Sequence, residues 1–249
     1  MGPQKSGAAL VRVAFLFIQN VYGYRMKKYV VIVAGGKGLR MGTDVPKQFL
    51  PVAGMPILMR TIRKFHDYDP QMGIVVVLPA HQIPYWNDLC AEYRFDVPYQ
   101  LALGGETRFH SVKNGLAYVE YASDVCVAVH DGVRPFVSES VIDAAFVEAQ
   151  RSGAAVPVVP VVDSIREVMA DGSNKARNRG DFRLVQTPQV FRSDLLRKAY
   201  EQPYCEEFTD DASVVERLGH PVCLTEGNRE NIKITTVFDL KWAEAFLSE

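Results

Sequence analysis

A glycine-rich stretch with three cations occupies residues 31–52, VIVAGGKGLRMGTDVPKQFLPV. Its apolar start predicts a buried strand, so the glycines form the turn at the carboxyl end of that strand. Ligands of open α/β sheets bind at this edge, and glycine lets backbone N–H groups approach an anion closely. Lys37, Arg40 and Lys47 add positive charge. The stretch predicts a site for phosphate groups, and a loop of solvated cations is the alternative.

Two familiar nucleotide-binding motifs do not fit this turn. A dinucleotide fingerprint needs a small residue where Met41 stands and an acidic residue about 20 positions later, and neither is present. The P-loop spacing is also missing. Glycines and cations without a nucleophile favour phosphoryl or nucleotidyl transfer, because the protein then supplies positioning and charge rather than covalent chemistry.

A second candidate is the segment VAVHDGVRPFVS, residues 127–138. Asp131 ends a predicted core strand, where it is a candidate ligand for a divalent metal or an acceptor for substrate hydroxyls. Arg134 suits bidentate contact with a phosphate. The alternative is that Asp131 caps the turn and pairs with Arg134. His130 is interpreted as a packed histidine rather than as a base.

A third candidate is LGGETRFHSVKNGL, residues 103–116, in which two glycines precede a predicted helix. Gly104 and Gly105 with Arg108 and Ser111 could receive a base or a ribose, and an ordinary helix start is the alternative. In a fourth segment, ENIKITTVFDL, Lys233 lies in a predicted strand. If it faces inward it contacts phosphate, and if it faces outward it is solvated.

The elements that must position these residues alternate between strands and helices. Apolar Val/Ile/Ala runs predict buried strands at 29–34, 73–79, 124–131 and 153–161. Helical spacing predicts helices at 56–66, 81–93, 106–119 and 138–153, the last with Ser138 as N-cap and Gly153 as its end. This alternation predicts a Rossmann-like, open, mostly parallel twisted sheet with helices on both faces.

The alternation breaks at residues 163–191. SIREVM and DFRLVQ alternate in polarity on either side of the turn ADGSN, which predicts a protruding hairpin that carries a partner surface. Two helices, a strand at HPVCLTEG and a closing helix at TVFDLKWAEAFLSE follow. We therefore expect one domain over residues 26–249 with an arm at about 162–186, and an extension outside the fold at residues 1–25.

Composition excludes several classes of function. The net charge is −1 over 249 residues, which disfavours charge-driven binding of nucleic acid. No segment has the roughly 20 unbroken apolar residues of a membrane span. The four cysteines form no Cys-x-x-Cys pair, which argues against zinc and disulfides and favours a reducing, cytoplasmic location.

Six motifs in this order resemble the 2-C-methyl-D-erythritol 4-phosphate cytidylyltransferase family of isoprenoid-precursor enzymes, over residues 28–247. The motifs are AGGKGLRMGTDVPKQFL, GGETRFHSV, VHDGVRPF, TPQVF, TDDASVVE and EGNRENIKIT. The resemblance implies a nucleotide-diphospho-sugar transferase-like fold that binds CTP with Mg²⁺ or another divalent cation. The phosphate of the sugar alcohol then attacks the α-phosphorus of CTP, and pyrophosphate leaves.

The resemblance also implies roles for individual residues. The implied catalytic residues are Arg40, Lys47, Arg179 and Lys233. The implied nucleotide site comprises Ala34, Gly35, Gly36, Gly38, Gly104, Gly105, Arg108 and Ser111. The implied acceptor site comprises Asp131, Arg134, Ser164 and Thr187. Ser164 and Arg179 match arm positions that reach into a neighbouring active site, which implies a homodimer.

Other functions remain open at this point. A ribitol-5-phosphate cytidylyltransferase would share the scaffold, and the sequence departs from the family pattern near the acceptor site, with GV before RPF and Ser164 at a frequent threonine. A sugar-1-phosphate nucleotidyltransferase is more distant. A non-catalytic nucleotide-binding module is disfavoured, because a binder needs no transition-state cations. A dehydrogenase is disfavoured by the missing ribose-binding acid.

Overall fold

The computed structural model describes residues 26–35 and 45–248, so the predicted extension 1–25 lies outside it. The strands are β1 (Lys27–Val33), β2 (Pro51–Val52), β3 (Met55–Pro56), β4 (Gly73–Leu78), β5 (Gln100–Leu103), β6 (Val125–Asp131), β7 (Ala154–Pro160), β8 (Ile165–Val168), β9 (Asn174–Arg177), β10 (Arg183–Val185), β11 (Gln189–Arg192) and β12 (Cys223–Glu226). The helices are α1 (Ile57–Tyr68), α2 (Ile83–Glu92), α3 (Arg108–Leu116), α4 (Glu139–Ser152), α5 (Ser193–Ala199), α6 (Asp211–Arg217) and α7 (Val237–Leu247).

Eight strands form the main sheet, and four of them, β1, β4, β6 and β7, were predicted. β5, β4, β1 and β6 lie side by side in that order and are all parallel. β11 pairs antiparallel with β6 and β7, and β7 also pairs with β10 and, in parallel, with β12. The chain leaves β1 towards β4 on one side, whereas β6 lies on the other. This reversal is the position at which open α/β sheets bind ligands.

Both faces of the sheet are covered by helices, as the apolar strand runs predict. Val30 and Ile32 pack with buried residues of α1, α2 and α4, whereas Val31 packs with those of α3, α5 and α6. All seven residues of β6 are buried for this reason. None of the helices in the described part of the chain is long and apolar enough to cross a membrane.

The predicted ends of α4 are confirmed. The Ser138 hydroxyl accepts a hydrogen bond from the backbone N–H of Val141, and Gly153 ends the helix with a φ of 93°. A side-chain cap and a left-handed glycine satisfy the two ends of a helix by different means. These two residues therefore define the ends of α4, the helix that connects β6 to β7.

The arm contains the predicted hairpin, but its second strand precedes the DFRLVQ segment. β8 pairs antiparallel with β9, whereas the DFRLVQ segment forms β10 and returns to the main sheet beside β7. The turn closes early, because the N–H of Met169 donates to the carbonyl of Ser173 at 2.8 Å and Gly172 adopts a φ of 81°. Alternating polarity indicates a strand but not its partner, so the hairpin is shorter than expected.

The predicted strand around Lys233 was wrong. Residues 231–235 are irregular, and the N–H of Ile234 donates to the carbonyl of Val133 at 3.0 Å. Ile234 is buried in a small cluster with Val133 and residues of α7. The alternation of apolar residues around Lys233 thus reflects packing of one irregular segment against the turn after β6.

Candidate active site at the carboxyl edge of the sheet

The turns after four parallel strands are joined by backbone hydrogen bonds. The N–H of Ala34 donates to the carbonyl of Val77 at 3.0 Å, and that of Gly132 donates to Val33 at 2.9 Å. A side chain at Gly132 would bring its Cβ to 2.9 Å from the Cβ of Ala34, so only glycine allows this approach. The ends of β1 and β6 are therefore held together at the switch point.

Asp131 forms the centre of a charged cluster at this edge. Its Oδ2 lies 3.1 Å from Nε of Arg134 and 3.1 Å from Nζ of Lys233. The Asp131 and Arg134 side chains are 11% and 13% exposed, whereas Lys233 is 45% exposed. The structure thus brings together three residues from two separate sequence motifs. The ion pair of Asp131 with Arg134, which the sequence analysis gave as the alternative to a ligand site, is present as well.

The charges around Asp131 keep its carboxyl group ionised. Burial alone would raise the pKa of Asp131, but the positive charges of Lys233, Arg108 and Arg134 outweigh burial and hold it well below its usual range. The hydrogen bond from Arg134 acts in the same direction. The cluster therefore presents a fixed carboxylate surrounded by cations, with excess positive charge for an incoming anion.

Thr187 and Asn231 support this cluster from two further segments. The backbone N–H of Asp131 donates to the Thr187 hydroxyl at 3.1 Å. The Asn231 amide donates to the Thr187 carbonyl at 2.8 Å, and Arg134 Nη1 donates to the Asn231 carbonyl at 2.8 Å. The predicted acceptor-site residue Thr187 thus lies directly beside Asp131, and Asn231, fully buried, was missed.

The glycine turn before α3 is shaped by close packing. The N–H of Gly105 donates to the Ser111 hydroxyl at 3.0 Å, and that hydroxyl donates to the carbonyl of Thr107 at 2.9 Å. A Cβ on Gly105 would lie 2.4 Å from the Cβ of His110. The N–H of Gly104 donates to the carbonyl of Leu78, which ties this turn to β4. Ser111 therefore orders the predicted nucleotide turn, and its nucleotide contact stays a prediction.

Arg108 is held in an ion pair with the buried Asp211, which sequence reasoning did not find. Its two terminal nitrogens donate to the two carboxylate oxygens of Asp211 at 3.0 and 2.6 Å, and Tyr200 donates to the same carboxylate at 2.6 Å. Asp211 is 0% exposed. The motif TDDASVVE contained the signal, since two adjacent acids at the start of a helix exceed what one N-cap needs. Arg108 joins α3 to α6.

The turn that carries Lys47 is attached to the end of β1. Lys47 opens a short 3₁₀ helix, Lys47–Phe49, and the buried Gln48 amide donates to the carbonyl of Ala34 at 2.8 Å and to Gln82 at 2.7 Å. The short helix that begins at Lys47 is therefore anchored to Ala34 through Gln48. The predicted residues Gly36, Gly38 and Arg40 lie outside the described residues.

Ser164 and Arg179 are exposed on the arm. Arg179 donates to the carbonyl of Val162, a contact within the arm itself. The hydrogen bonds and ion pairs described for these two residues do not connect them to Asp131 of the same chain. Their predicted role in a neighbouring active site stays a prediction.

The described residues do not fit a metal ion held by the protein alone. Within residues 26–35 and 45–248 no group of three His, Cys, Asp or Glu side chains is arranged to hold one. Asp131, the candidate ligand, already shares Oδ2 with two cations. A cation in such surroundings would be repelled, so no step below is routed through a metal.

Comparisons with known proteins agree on one family. The family model described as IspD, 2-C-methyl-D-erythritol 4-phosphate cytidylyltransferase, matches residues 28–249. The protein of that name from Phocaeicola vulgatus is 57% identical over 222 residues, covering 89% of this chain and 100% of that protein. Its namesake from Porphyromonas gingivalis ATCC 33277 is 51% identical over 225 residues, covering 90% and 99%.

Solved structures show the same likeness. The 2-C-methyl-D-erythritol 4-phosphate cytidylyltransferase of Thermus thermophilus matches with a TM-score of 0.72 at 36% identity, covering 90% of this chain and 100% of that one. The 4-diphosphocytidyl-2C-methyl-D-erythritol synthase of Anaerococcus prevotii matches with a TM-score of 0.75 at 26% identity, covering 90% and 99%.

Proposed function

The chain belongs to the 2-C-methyl-D-erythritol 4-phosphate cytidylyltransferase family, and on that premise we propose how its residues perform the reaction. The reaction transfers CMP from CTP to 2-C-methyl-D-erythritol 4-phosphate, in the non-mevalonate route to isoprenoid precursors, and releases pyrophosphate. The names of the relatives favour this acceptor over ribitol 5-phosphate. A non-catalytic nucleotide-binding module is likewise not favoured.

The observation that carries the proposal is the cluster of Asp131, Arg134 and Lys233. Two cations 3.1 Å from one carboxylate oxygen form a site with both signs of charge. Arg134 and Lys233 suit the acceptor phosphate, and Asp131 accepts hydrogen bonds from the alcohol hydroxyls. A sugar-alcohol phosphate offers these two kinds of group, so the cluster matches the acceptor in chemistry.

We propose that the two substrates bind side by side at this edge of the sheet, where the transfer takes place. An oxygen of the acceptor phosphate attacks the α-phosphorus of CTP, and the bond from that phosphorus to the bridging oxygen breaks with its electron pair on pyrophosphate. Negative charge grows on the oxygens around the α-phosphorus, which cations lower in energy. We assign this role to Lys47 and Arg40, with Gly104 and Gly105 beside the cytidine.

We propose that Mg²⁺ enters bound to the triphosphate rather than to a site on the protein. The charge on a nucleoside triphosphate requires such a counter-ion, and the described residues offer Asp131 only within its ion pairs. Rates measured against calculated MgCTP should follow one saturation curve at every total magnesium concentration. A separate, tight magnesium dependence at saturating MgCTP contradicts the proposal.

We also propose a homodimer formed through the arm. Large apolar side chains exposed on the arm and its base are Val162, Val168, Met169, Phe182, Leu184 and Val185. Exposed apolar patches of this kind mark interaction surfaces. Ser164 and Arg179 lie on the same arm, so a partner's active site would receive them.

Mixing two impaired variants at a low acceptor concentration tests this exchange. In a dimer of one Lys47→Ala chain and one Arg179→Ala chain, one active site receives intact Lys47 and the intact arm of its partner. Activity should therefore return on mixing if the arm acts in the partner's site. Mixed dimers, confirmed by mass, that are no more active than the two variants alone contradict the proposal.

Pyrophosphate release tests the reaction itself. We expect turnover with CTP and 2-C-methyl-D-erythritol 4-phosphate and none with ribitol 5-phosphate under the same conditions. Turnover with ribitol 5-phosphate alone would show that the acceptor assignment is wrong and that the cytidylyl transfer itself is correctly assigned. A folded protein that binds CTP and turns over neither acceptor would be a binding module.

We also propose that the protein is located in the cytoplasm. All four cysteines are free thiols in the structure, which suits a reducing compartment.

A further inference from the structure

His130 is a fully buried histidine that the reaction described above does not use. It precedes Asp131 in β6 and is 0% exposed. Its ring lies against that of Phe65, with centroids 4.8 Å apart in an edge arrangement. Burial lowers the pKa of His130 to about 4, so its imidazole is neutral at ordinary pH.

Both ring nitrogens of His130 are used in hydrogen bonds. Nε2 lies 3.0 Å from the carbonyl oxygen of Arg134, and Nδ1 lies 3.0 Å from the hydroxyl oxygen of Thr187. A carbonyl only accepts, so Nε2 carries the proton and Nδ1 is an acceptor. The Thr187 hydroxyl must therefore donate to Nδ1.

These contacts belong to a closed ring of four hydrogen bonds. His130 donates to the carbonyl of Arg134, Arg134 donates to that of Asn231 at 2.8 Å, and Asn231 donates to that of Thr187 at 2.8 Å. Thr187 completes the ring by donating to His130. We call this set the hydrogen-bond ring. It joins three segments of the chain around Asp131.

The ring also determines what the Thr187 hydroxyl offers to a ligand. Its hydrogen is directed to His130, and one of its lone pairs accepts the N–H of Asp131 at 3.1 Å. A hydroxyl has one hydrogen and two lone pairs, so the remaining capacity is that of an acceptor. Thr187 therefore suits a donor such as an alcohol hydroxyl and not a phosphate oxygen.

We propose that His130 is a positioning residue for acceptor binding, which sets the direction of the Thr187 hydroxyl and the position of Arg134. The inference rests on the proposed function only in naming the ligand, a sugar-alcohol phosphate. His130 touches no reacting atom. It acts because its neutral tautomer offers one donor and one acceptor in opposite directions, which fixes both neighbours at once.

Three variants separate its two hydrogen bonds. His130→Phe keeps an aromatic ring and removes both contacts. His130→Gln places an amide at the position of Nε2, and His130→Asn places one at the position of Nδ1, so each preserves one contact. A displacement of about 1 Å near reacting groups can lower rates about 100-fold. We expect His130→Phe to lower kcat/KM for the acceptor at least tenfold, with the Kd of CTP within twofold of wild type.

Phe65→Leu provides the matched control. It weakens packing against the same imidazole and leaves all four hydrogen bonds of the ring in place. If His130 acts by positioning, Phe65→Leu lowers the unfolding temperature with little change in kcat/KM for the acceptor. His130→Gln or His130→Asn then retains part of the kcat/KM that His130→Phe loses. Equal kinetic losses for Phe65→Leu and His130→Phe at equal thermal stability overturn the proposal.

A spectroscopic readout tests the tautomer without any turnover. Long-range ¹H–¹⁵N NMR of the folded protein at neutral pH should show Nε2 protonated and Nδ1 unprotonated at His130. A protonated Nδ1 overturns the proposal, because Thr187 then has no acceptor for its hydrogen. If wild-type enzyme fails to use the acceptor while the expected tautomer is observed, the assigned reaction is wrong and the direction of the Thr187 hydroxyl is upheld.

Discussion

Replacing Asp131 with asparagine is the sharpest test of the charged cluster. The change keeps the size and one acceptor oxygen of the side chain but removes its charge. Among the ion pairs of the described residues, Asp131 is the one carboxylate that pairs with Arg134, which is 13% exposed, and with Lys233. Both cations lose this partner in the variant. At 3.1 Å and an effective dielectric constant of about 20, each pair has a bare attraction of roughly 5 kcal/mol.

Most of that attraction is offset by the desolvation of the groups, so the net effect is smaller. Removing one partner of a buried ion pair costs about 3–5 kcal/mol, because a charge is left without compensation. The pair with Lys233, 45% exposed, is screened by solvent and contributes about 1 kcal/mol or less. We therefore expect Asp131→Asn to lower the free energy of unfolding by about 3 kcal/mol, and Lys233→Met by no more than about 1 kcal/mol.

Urea unfolding followed by the fluorescence of the buried Trp86 measures this difference. Asp88→Asn, on the exposed face of α2, is the control and should change stability by less than about 0.5 kcal/mol. The pKa of Asp131 is lowered in the folded state, so its contribution is fully present above the unfolded value of about 3.9. It is lost progressively as pH falls from the unfolded value through the folded pKa.

The difference between wild type and Asp131→Asn should therefore stay constant from about pH 8 to about pH 5 and shrink below about pH 4. A loss no larger than that of Asp88→Asn would refute the reasoning, since the carboxylate would then not compensate the cations around it. A stability difference between wild type and Asp131→Asn that changes between about pH 8 and about pH 6 would also refute it, because a carboxyl group with a lowered pKa does not titrate in that range.

Four further predictions follow from the same structure. Lys47→Ala should lower kcat about 100-fold or more with little change in the KM for CTP, measured by pyrophosphate release, and an unchanged kcat excludes it from the chemistry. Arg179→Ala should raise the KM for the acceptor and leave the calorimetric Kd of CTP unchanged; equal losses of both contradict the arm assignment. Gly105→Ala should weaken CTP binding in calorimetry, because its Cβ would lie 2.4 Å from that of His110, and wild-type affinity argues against this turn as the cytidine site. Burial raises the pKa of Cys126 to about 12, so iodoacetamide at about pH 8 should modify Cys205 in the native protein and spare Cys126, as peptide mass mapping would show; alkylation of Cys126 at a similar rate argues against the packing of β6.

Four strands of the main sheet followed from the sequence because burial on both faces leaves a continuous apolar pattern, whereas the half-exposed β5 was missed. β1, β4, β6 and β7 lie within one or two residues of their predicted limits. Ser138 and Gly153 were also predictable, because the chemistry of a helix cap depends on a few neighbouring residues. Signals that depend on neighbouring residues alone were therefore sufficient for these elements.

Properties that depend on distant residues were not predictable in the same way. The partner of β10 is β7 rather than β8, and an alternating pattern carries no information on that choice. Asn231 looks like an ordinary polar residue until the fold buries it beside Thr187. The adjacent acids of TDDASVVE suggest a second role for one of them, but they do not name Arg108 as the partner of Asp211. The motifs supplied the residues of the proposed acceptor and nucleotide sites, but only the three-dimensional contacts revealed which side chains hold those residues in place.

The hydrogen-bond ring has a consequence for the order in which the enzyme is made. Its members are far apart in the chain, with a separation of 57 residues from His130 to Thr187, 44 from Thr187 to Asn231, and 97 from Arg134 to Asn231. A chain emerging from the ribosome folds its earlier parts first. β1, β4, β5 and β6 are therefore available to form a sheet long before Asn231 and Lys233 are synthesised. A stalled or truncated chain that ends before Asn231 has the strands beside the proposed nucleotide site but lacks residues of the proposed acceptor site. We therefore expect catalytic competence to appear only in the last stage of synthesis.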